Sequence, residues 1–229
     1  MKNKIIVVFS SHLGEEKDQK FIEHIDQTIG VEHLSVVYPN FNQYSLPQIY
    51  NQAMREYADP SAVFVFCHND IHIKTRDWGK FLIKKFNSTE FDIIGVAGST
   101  YLPESGRWWE DRTKMHGIVE HTNGVSNWVS EYSKARKNFL KPVVLIDGLF
   151  MAVNPDGIVH KWDEEFQGFH FYDLSFCVPN YLDGSEIGVT TDIRILHESV
   201  GMTNEQWENN RKQFAHKYQH DLPITYSIT

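Results

Sequence analysis

Three apolar runs in this sequence end on residues able to bind a metal or move a proton. Residues 62–67 lead into His68-Asn69-Asp70, Ile146 precedes Asp147, and Leu196 precedes His197. In open α/β sheets ligands bind beyond the carboxyl ends of the strands, so such residues would meet along one edge. A hard divalent cation takes carboxylate oxygen, and a borderline one such as Mn²⁺ also accepts imidazole. Asp70 and His197 are therefore candidate ligands of a metal that also holds a phosphate. Each alone reads as well as a turn cap or a neutral core histidine. Ser10 and Ser11 follow the run 5–9, and their small polar side chains would let a ligand approach the backbone. In the segment 168–177, Asp173 lies among Leu174, Phe176 and Cys177. An apolar wall raises a carboxylate's pKa toward the range of a general base. The same residue also reads as a first-turn carboxylate held by free helix amides. Trp108 and Trp109 fall in an irregular stretch, as a ring-stacking platform or as part of a lid packed on the body.

These residues need a scaffold, and the first hundred residues supply one. Continuous apolar runs at 5–9, 34–38, 62–67 and 93–97 predict buried strands. Between them, Phe21, Ile22, Ile25 and Ile29, then Ile49, Tyr50, Ala53, Met54 and Tyr57, recur at helical spacing. Ser45 with Pro47 marks one helix start, and Asp77 is expected to cap a short helix to Phe86. Strand starts about 30 residues apart match the length of a βαβ unit. The expected class is α/β, a single domain over 1–229 with an open, mostly parallel sheet and helices on both faces. Residues 98–140 and 154–189 show no clean period and read as irregular. Strand character returns at 143–146, 149–153 and 192–196, and 204–219 reads as an amphipathic helix.

Composition narrows the classes. The 229 residues include 30 acidic and 22 basic side chains, a formal charge of −8, which argues against nucleic acid or an anionic membrane as the main partner. No apolar run approaches the length of a membrane span, and the run 5–9 is too short for a signal-peptide core. Cys67 and Cys177 sit in apolar segments and read as reduced, buried thiols, so the expected compartment is cytoplasmic. With 14% aromatic residues and 12 His, the chain has material for a sugar or nucleotide site and for a metal site.

The ordered set of motifs resembles family 2 glycosyltransferases, closest to their small glycosyltransferase-like branch. It comprises Tyr50-Asn51, Phe66-Cys67-His68-Asn69-Asp70, Gly95-Val96-Ala97-Gly98-Ser99, Gly106-Arg107-Trp108-Trp109, Asp147-Gly148-Leu149-Phe150-Met151, the segment 170–177 and His197-Glu198-Ser199. The resemblance implies a GT-A (Rossmann-like) fold, a nucleotide-diphosphate sugar donor such as a UDP-sugar, Mn²⁺ or Mg²⁺, and inversion at the anomeric carbon. It implies a nucleotide-binding half over 1–98 and an acceptor and catalytic half over 99–229. Donor-binding positions would be Ser10, Ser11, Asn51, His68, Asn69 and Asp70. Asp70 and His197 would hold the metal, Asp173 would be the base, and Trp108, Trp109, Asp147 and His170 would meet a glycan or lipid-linked acceptor. The chain departs from the family pattern twice: His68 stands for the first Asp of the Asp-x-Asp motif, and Tyr172 for the Glu before Asp173. Two competing readings are a non-catalytic sugar- or nucleotide-binding module, and a non-haem Fe(II) oxygenase. The latter uses a 2-His-1-carboxylate triad that His68, Asp70 and His197 also spell, typically on an all-β jelly roll.

Overall fold

The structure, a computed structural model, describes residues 1–11, 14–40, 43–199, 201 and 203–227. Its first half follows the expected alternation with one unexpected strand, β4: β1 (Lys4–Ser11), α1 (Glu15–Thr28), β2 (Glu32–Pro39), α2 (Leu46–Glu56), β3 (Ala62–Cys67), β4 (Ile71–Ile73), α3 (Trp78–Ser88) and β5 (Phe91–Gly95). The second half adds β6 (Ala97–Ser99), β7 (Tyr101–Leu102), β8 (Met115–Thr122), β9 (Asn127–Glu131), β10 (Leu140–Val143), β11 (Leu145–Ile146), β12 (Phe150–Val153), α4 (Tyr172–Leu182), β13 (Glu186–Thr190), β14 (Ile195–His197), α5 (Glu205–Lys217) and β15 (Ile224–Thr225).

Seven strands form the main sheet in the order β10-β13-β5-β12-β3-β1-β2. β1 pairs in parallel with β2 and β3, and β13 with β5, whereas β12 and β10 run against their neighbours. Five of the seven strands therefore share one direction. Register fixes which helices cover which face, because side chains alternate along a strand. Val8 pairs with Phe66, so Phe9 and Phe66 point to opposite faces. Phe9 packs edge-on against Phe21 of α1, and Phe66 packs against Tyr50 of α2. Phe150, paired with Cys67, meets Trp78 of α3 on the α1 face. Phe176 of α4 stacks on Trp162, which touches Phe66 on the α2 face. Helices thus cover both faces, and the core lies between them and strands whose residues are almost wholly buried.

A smaller sheet, β11-β6-β8-β14-β4 with β9 on β8, stands beside the main one. Here the sequence reading needs correction. The expected strand 93–97 splits at Val96, where the chain leaves one sheet for the other, and the strand 143–146 splits at Val144 for the same reason. Residues 98–140 are not an irregular stretch: they hold β6 to β9, and β9 exposes most of its side chains, so no apolar alternation marks it. Residues 154–189 hold α4 and most of β13. Seven of the eleven α4 residues are buried and Pro179 lies inside the helix, so it shows no amphipathic period. β14 begins at Ile195 rather than Asp192, which makes His197 the last residue of a strand. Asp77 does precede α3, but at φ 58 and with no side-chain cap bond. Ser45 does start α2, donating its amide to Gln48 Oε1 at 3.0 Å. Both cysteines are buried and free.

Candidate functional site

A cavity of about 780 Å³ opens where the two sheets meet, within the usual range for ligand pockets. The register of the smaller sheet assembles its polar wall. β14 runs antiparallel to β4, placing His197 opposite Ile71, and parallel to β8, placing it beside His121. The amide of Glu198 donates to the carbonyl of Asp70 at 2.9 Å. Asp70 and His197, 127 positions apart in the chain, thereby share one corner.

Ligand atoms of His68, Asp70 and His197 all lie within 4.8 Å of one another, an arrangement able to hold a metal ion. Asp70 Oδ1 lies 3.5 Å from His197 Nε2 and 3.7 Å from His68 Nδ1. That oxygen is buried without a hydrogen bond, an acceptor available to a cation. Burial pushes Asp70 toward the neutral acid, but the adjoining His197 and His68 rings outweigh it and hold the carboxyl well below the usual range. Burial works against charge on His197 as well. There Asp70, and then Asp147, prevail and raise its pKa. His68 is held neutral, chiefly by burial.

The other ring nitrogen of His68, Nε2, lies 3.0 Å from the hydroxyl of Tyr172. The two residues that depart from the family pattern are therefore hydrogen-bonded partners. Gly148 makes room for this contact: a Cβ there would overlap the Tyr172 hydroxyl and ring. Such outer partners fix the orientation of a metal-binding imidazole.

Asp173 follows Tyr172 in the first turn of α4. Its Oδ2 accepts from Gly148 N at 3.1 Å and its Oδ1 from Leu174 N at 2.9 Å. The Leu174 amide belongs to the first turn of α4, whereas the Gly148 amide comes from the loop after β11. Burial, and then the charge of Asp147, raise its pKa to about 7 despite those amide bonds. Just before it Phe171 sits at φ 64, an unfavourable conformation for a bulky side chain and of the kind found at functional sites.

Of the residues singled out from sequence, Ser10, His68, Asn69, Asp70, Trp108, Trp109, Asp147, His170, Asp173 and His197 line the cavity. Ser11 and Asn51 do not line it. Ser11 is buried beside Asn69, whose amide reaches its hydroxyl at 3.4 Å. Asn51 is also buried, its amide donating to Trp162 O and Glu164 Oε1 while its oxygen accepts from Trp162 N. It fastens a loop, and those bonds occupy it. The tryptophan pair is not an open platform either. Trp108 is 6% exposed, and Trp109, 39% exposed, leans on Trp207 of α5. Sequence reasoning missed His121, which lines the cavity and stacks on Trp128. Only the pairing of β8 with β14 and β9 reveals its place.

Residues 5–218 match the sequence profile of the Glycosyltransferase like family. The chain belongs to this family. Comparison of the sequence with curated proteins gives no match. Among solved structures, the glycosyltransferase-like chain is similar to GalNAc-T7 with UDP, GalNAc and Mn²⁺, at TM-score 0.63 and 9% identity, over 96% of this chain and 50% of that one. It is similar to the mannosyltransferase PcManGT from Pyrobaculum calidifontis in complex with GDP-Man and Mn²⁺, at TM-score 0.53 and 8% identity, over 96% and 70%. It is also similar to A197 from STIV, at TM-score 0.51 and 13% identity, over 87% of each chain. It spans about half the length of the GalNAc-T7 chain. The two named transferases share the GT-A fold, and the present chain has it too. An α/β fold of this kind is not the jelly roll that the Fe(II) oxygenase reading implied.

Proposed function

We propose that this glycosyltransferase-like protein moves a sugar from a nucleotide-diphosphate donor, UDP-linked in our reading, to an acceptor hydroxyl with inversion. The observation that carries this is the joining, in one cavity, of the His68–Asp70–His197 cluster to a carboxyl, Asp173, whose pKa is about 7. His68, Asp70 and His197 would hold Mn²⁺ or Mg²⁺, and the bound cation supplies positive charge against the diphosphate that leaves. Ser10 and Asn69 stand at the ends of β1 and β3, suited to the donor. Residues 1–98 supply most of this donor side, and residues 99–229 the base and the acceptor side. Asp147, His170 and the partly exposed Trp109 would meet the acceptor, a glycan or a lipid-linked sugar.

In the reaction, Asp173 takes the proton of the acceptor hydroxyl as its oxygen bonds to the anomeric carbon. The bond from that carbon to the diphosphate oxygen breaks, and the nucleoside diphosphate leaves with the electron pair. One displacement inverts the centre. A base whose pKa lies near the working pH is efficient in both taking and holding that proton. The reading is tested by thermal shift with UDP, with and without Mn²⁺, followed by a screen of nucleotide sugars for donor hydrolysis. Metal-dependent stabilisation by UDP and turnover of one donor are expected. No response to any nucleotide diphosphate with metal would overturn it.

A further inference from the structure

A second cavity, about 240 Å³, is lined by His116, Ser133, Lys134, Arg136, Phe139, Lys141, Val189 and Thr191. It lies on the other side of β8 from the candidate active site. Met115, Val119 and His121 line the first cavity and His116 the second, as strand alternation requires. At the end of β9, Tyr132 and Ser133 divide between the two in the same way.

The second cavity is charged in one sense only. Residues 133–141 carry Lys134, Arg136, Lys137 and Lys141 and no acid, in a chain of net charge −8. No carboxylate lines it. Among the described residues, none of Lys134, Arg136 and Lys141 has a carboxylate within ion-pair distance. The strand of lining residues is held in place: Arg136 N donates to Thr191 Oγ1 at 2.9 Å, and the Arg136 guanidinium stacks 3.9 Å over Phe139. Burial, and then the charge of Lys141, keep the His116 ring neutral, so it can donate one hydrogen bond. Three cations, an imidazole and the Ser133 hydroxyl converge on a space with no anion of the protein's own. Such clustering of like charge is unfavourable until an anion enters, and Arg and Lys together suit phosphate oxygens.

We propose that this cavity is a binding site for a phosphate group, carried by a free phosphate compound or by a lipid headgroup. It stands apart from the donor site and needs no divalent metal. The test is a titration with inorganic phosphate and with pyrophosphate in EDTA, followed by thermal shift, on the wild type and on the triple variant K134Q/R136Q/K141Q. Binding to phosphatidic acid vesicles, against neutral phosphatidylcholine vesicles, is measured alongside. Losing three charge-assisted contacts should weaken binding about tenfold or more, and Lys134→Gln alone should weaken it in part. UDP–Mn²⁺ binding by the triple variant should be unchanged, which also shows that it folds. A response to free phosphate assigns the site to soluble compounds, and a response to acidic vesicles alone assigns it to headgroups. Equal responses by wild type and triple variant, or none to either probe, would overturn the proposal, whatever becomes of the donor site.

Discussion

Two of the three carboxyl groups lining the cavity, Asp70 and Asp173, are treated in opposite ways. Asp70 is flanked by imidazoles and stays ionised well below the usual range, whereas Asp173, enclosed by protein and facing the charge of Asp147, is raised to about 7. Burial pushes both toward the neutral form. The difference lies in the neighbours: His197, whose pKa is raised, sets positive charge beside Asp70, while the largest charge near Asp173 is the Asp147 carboxylate. A permanently charged group and a group that titrates near neutrality are the two kinds of acid that charge stabilisation and proton transfer need. Tyr172 links the two ends, since it precedes Asp173 and its hydroxyl meets His68.

The contrast can be broken from either end. The largest effect is expected from Asp173→Asn, which preserves shape but cannot take a proton: transfer should fall by roughly 10²–10⁴ while donor affinity stays within a few-fold. Near-normal transfer by this variant would move the base elsewhere, with Asp147 next to test. At the other end, Asp70→Ala should lower Mn²⁺ affinity by more than about 100-fold, beyond the loss from an outer partner, and abolish metal-dependent stabilisation by UDP. An unchanged Mn²⁺ titration would remove Asp70 from the metal site.

The link between the ends is weaker but testable. Tyr172→Phe keeps the ring and deletes the hydroxyl that meets His68, and should weaken Mn²⁺ about 10–100-fold. In a His68→Asp background the same change should have little effect, because the histidine it orients is gone. Equal losses in both backgrounds would make Tyr172 a packing residue only.

Proton linkage gives a smaller, continuous signal. Asp173 binds its proton more tightly folded than unfolded, so its penalty on stability is absent below about pH 4, grows between there and pH 7, and is full above. Asp173→Asn should therefore gain stability relative to wild type as pH rises through that window, by a few kcal/mol at most. In the wild type, transfer should fall about tenfold per unit below pH 7. A rate independent of pH between 5 and 8 would disconnect Asp173 from the reaction. Smallest of all, Asn51→Ala should cost about 1–3 kcal/mol of stability by stranding the backbone of Trp162, with UDP affinity unchanged. A large loss of UDP affinity at full stability would return Asn51 to the donor site.

Most of the first half of the fold, and the kinds of group lining the cavity, are written in local sequence pattern. Buried parallel strands must be continuously apolar and their crossover helices amphipathic, so residues 4–95 declare their elements locally, apart from the three-residue β4. The polar residues at 68–70, 147, 173 and 197, which line the cavity, likewise stand out in the sequence by type and, except at 173, by their place after apolar runs. The order of their motifs also carried the family. The rest depends on contacts between segments far apart in the chain. Apart from β8 the strands of the smaller sheet are short, and β8 itself shows no strict apolar alternation, so the register comes from pairing, and that register sets His197 beside His121 and next to Asp70. α4 is buried on nearly all sides, which erases the period that would reveal it. A tryptophan in a Gly- and Ser-rich stretch can be surface or core, and only the folded chain shows Trp108 buried with Trp109 leaning on Trp207 of α5. Asn51 has the polarity of a ligand contact, yet the loop at Trp162 folds onto it and takes both its N–H donors and a bond to its oxygen. Nor does either departing residue, His68 or Tyr172, carry any sign of the other, because they are 104 positions apart and meet only when α4 docks at the end of β3.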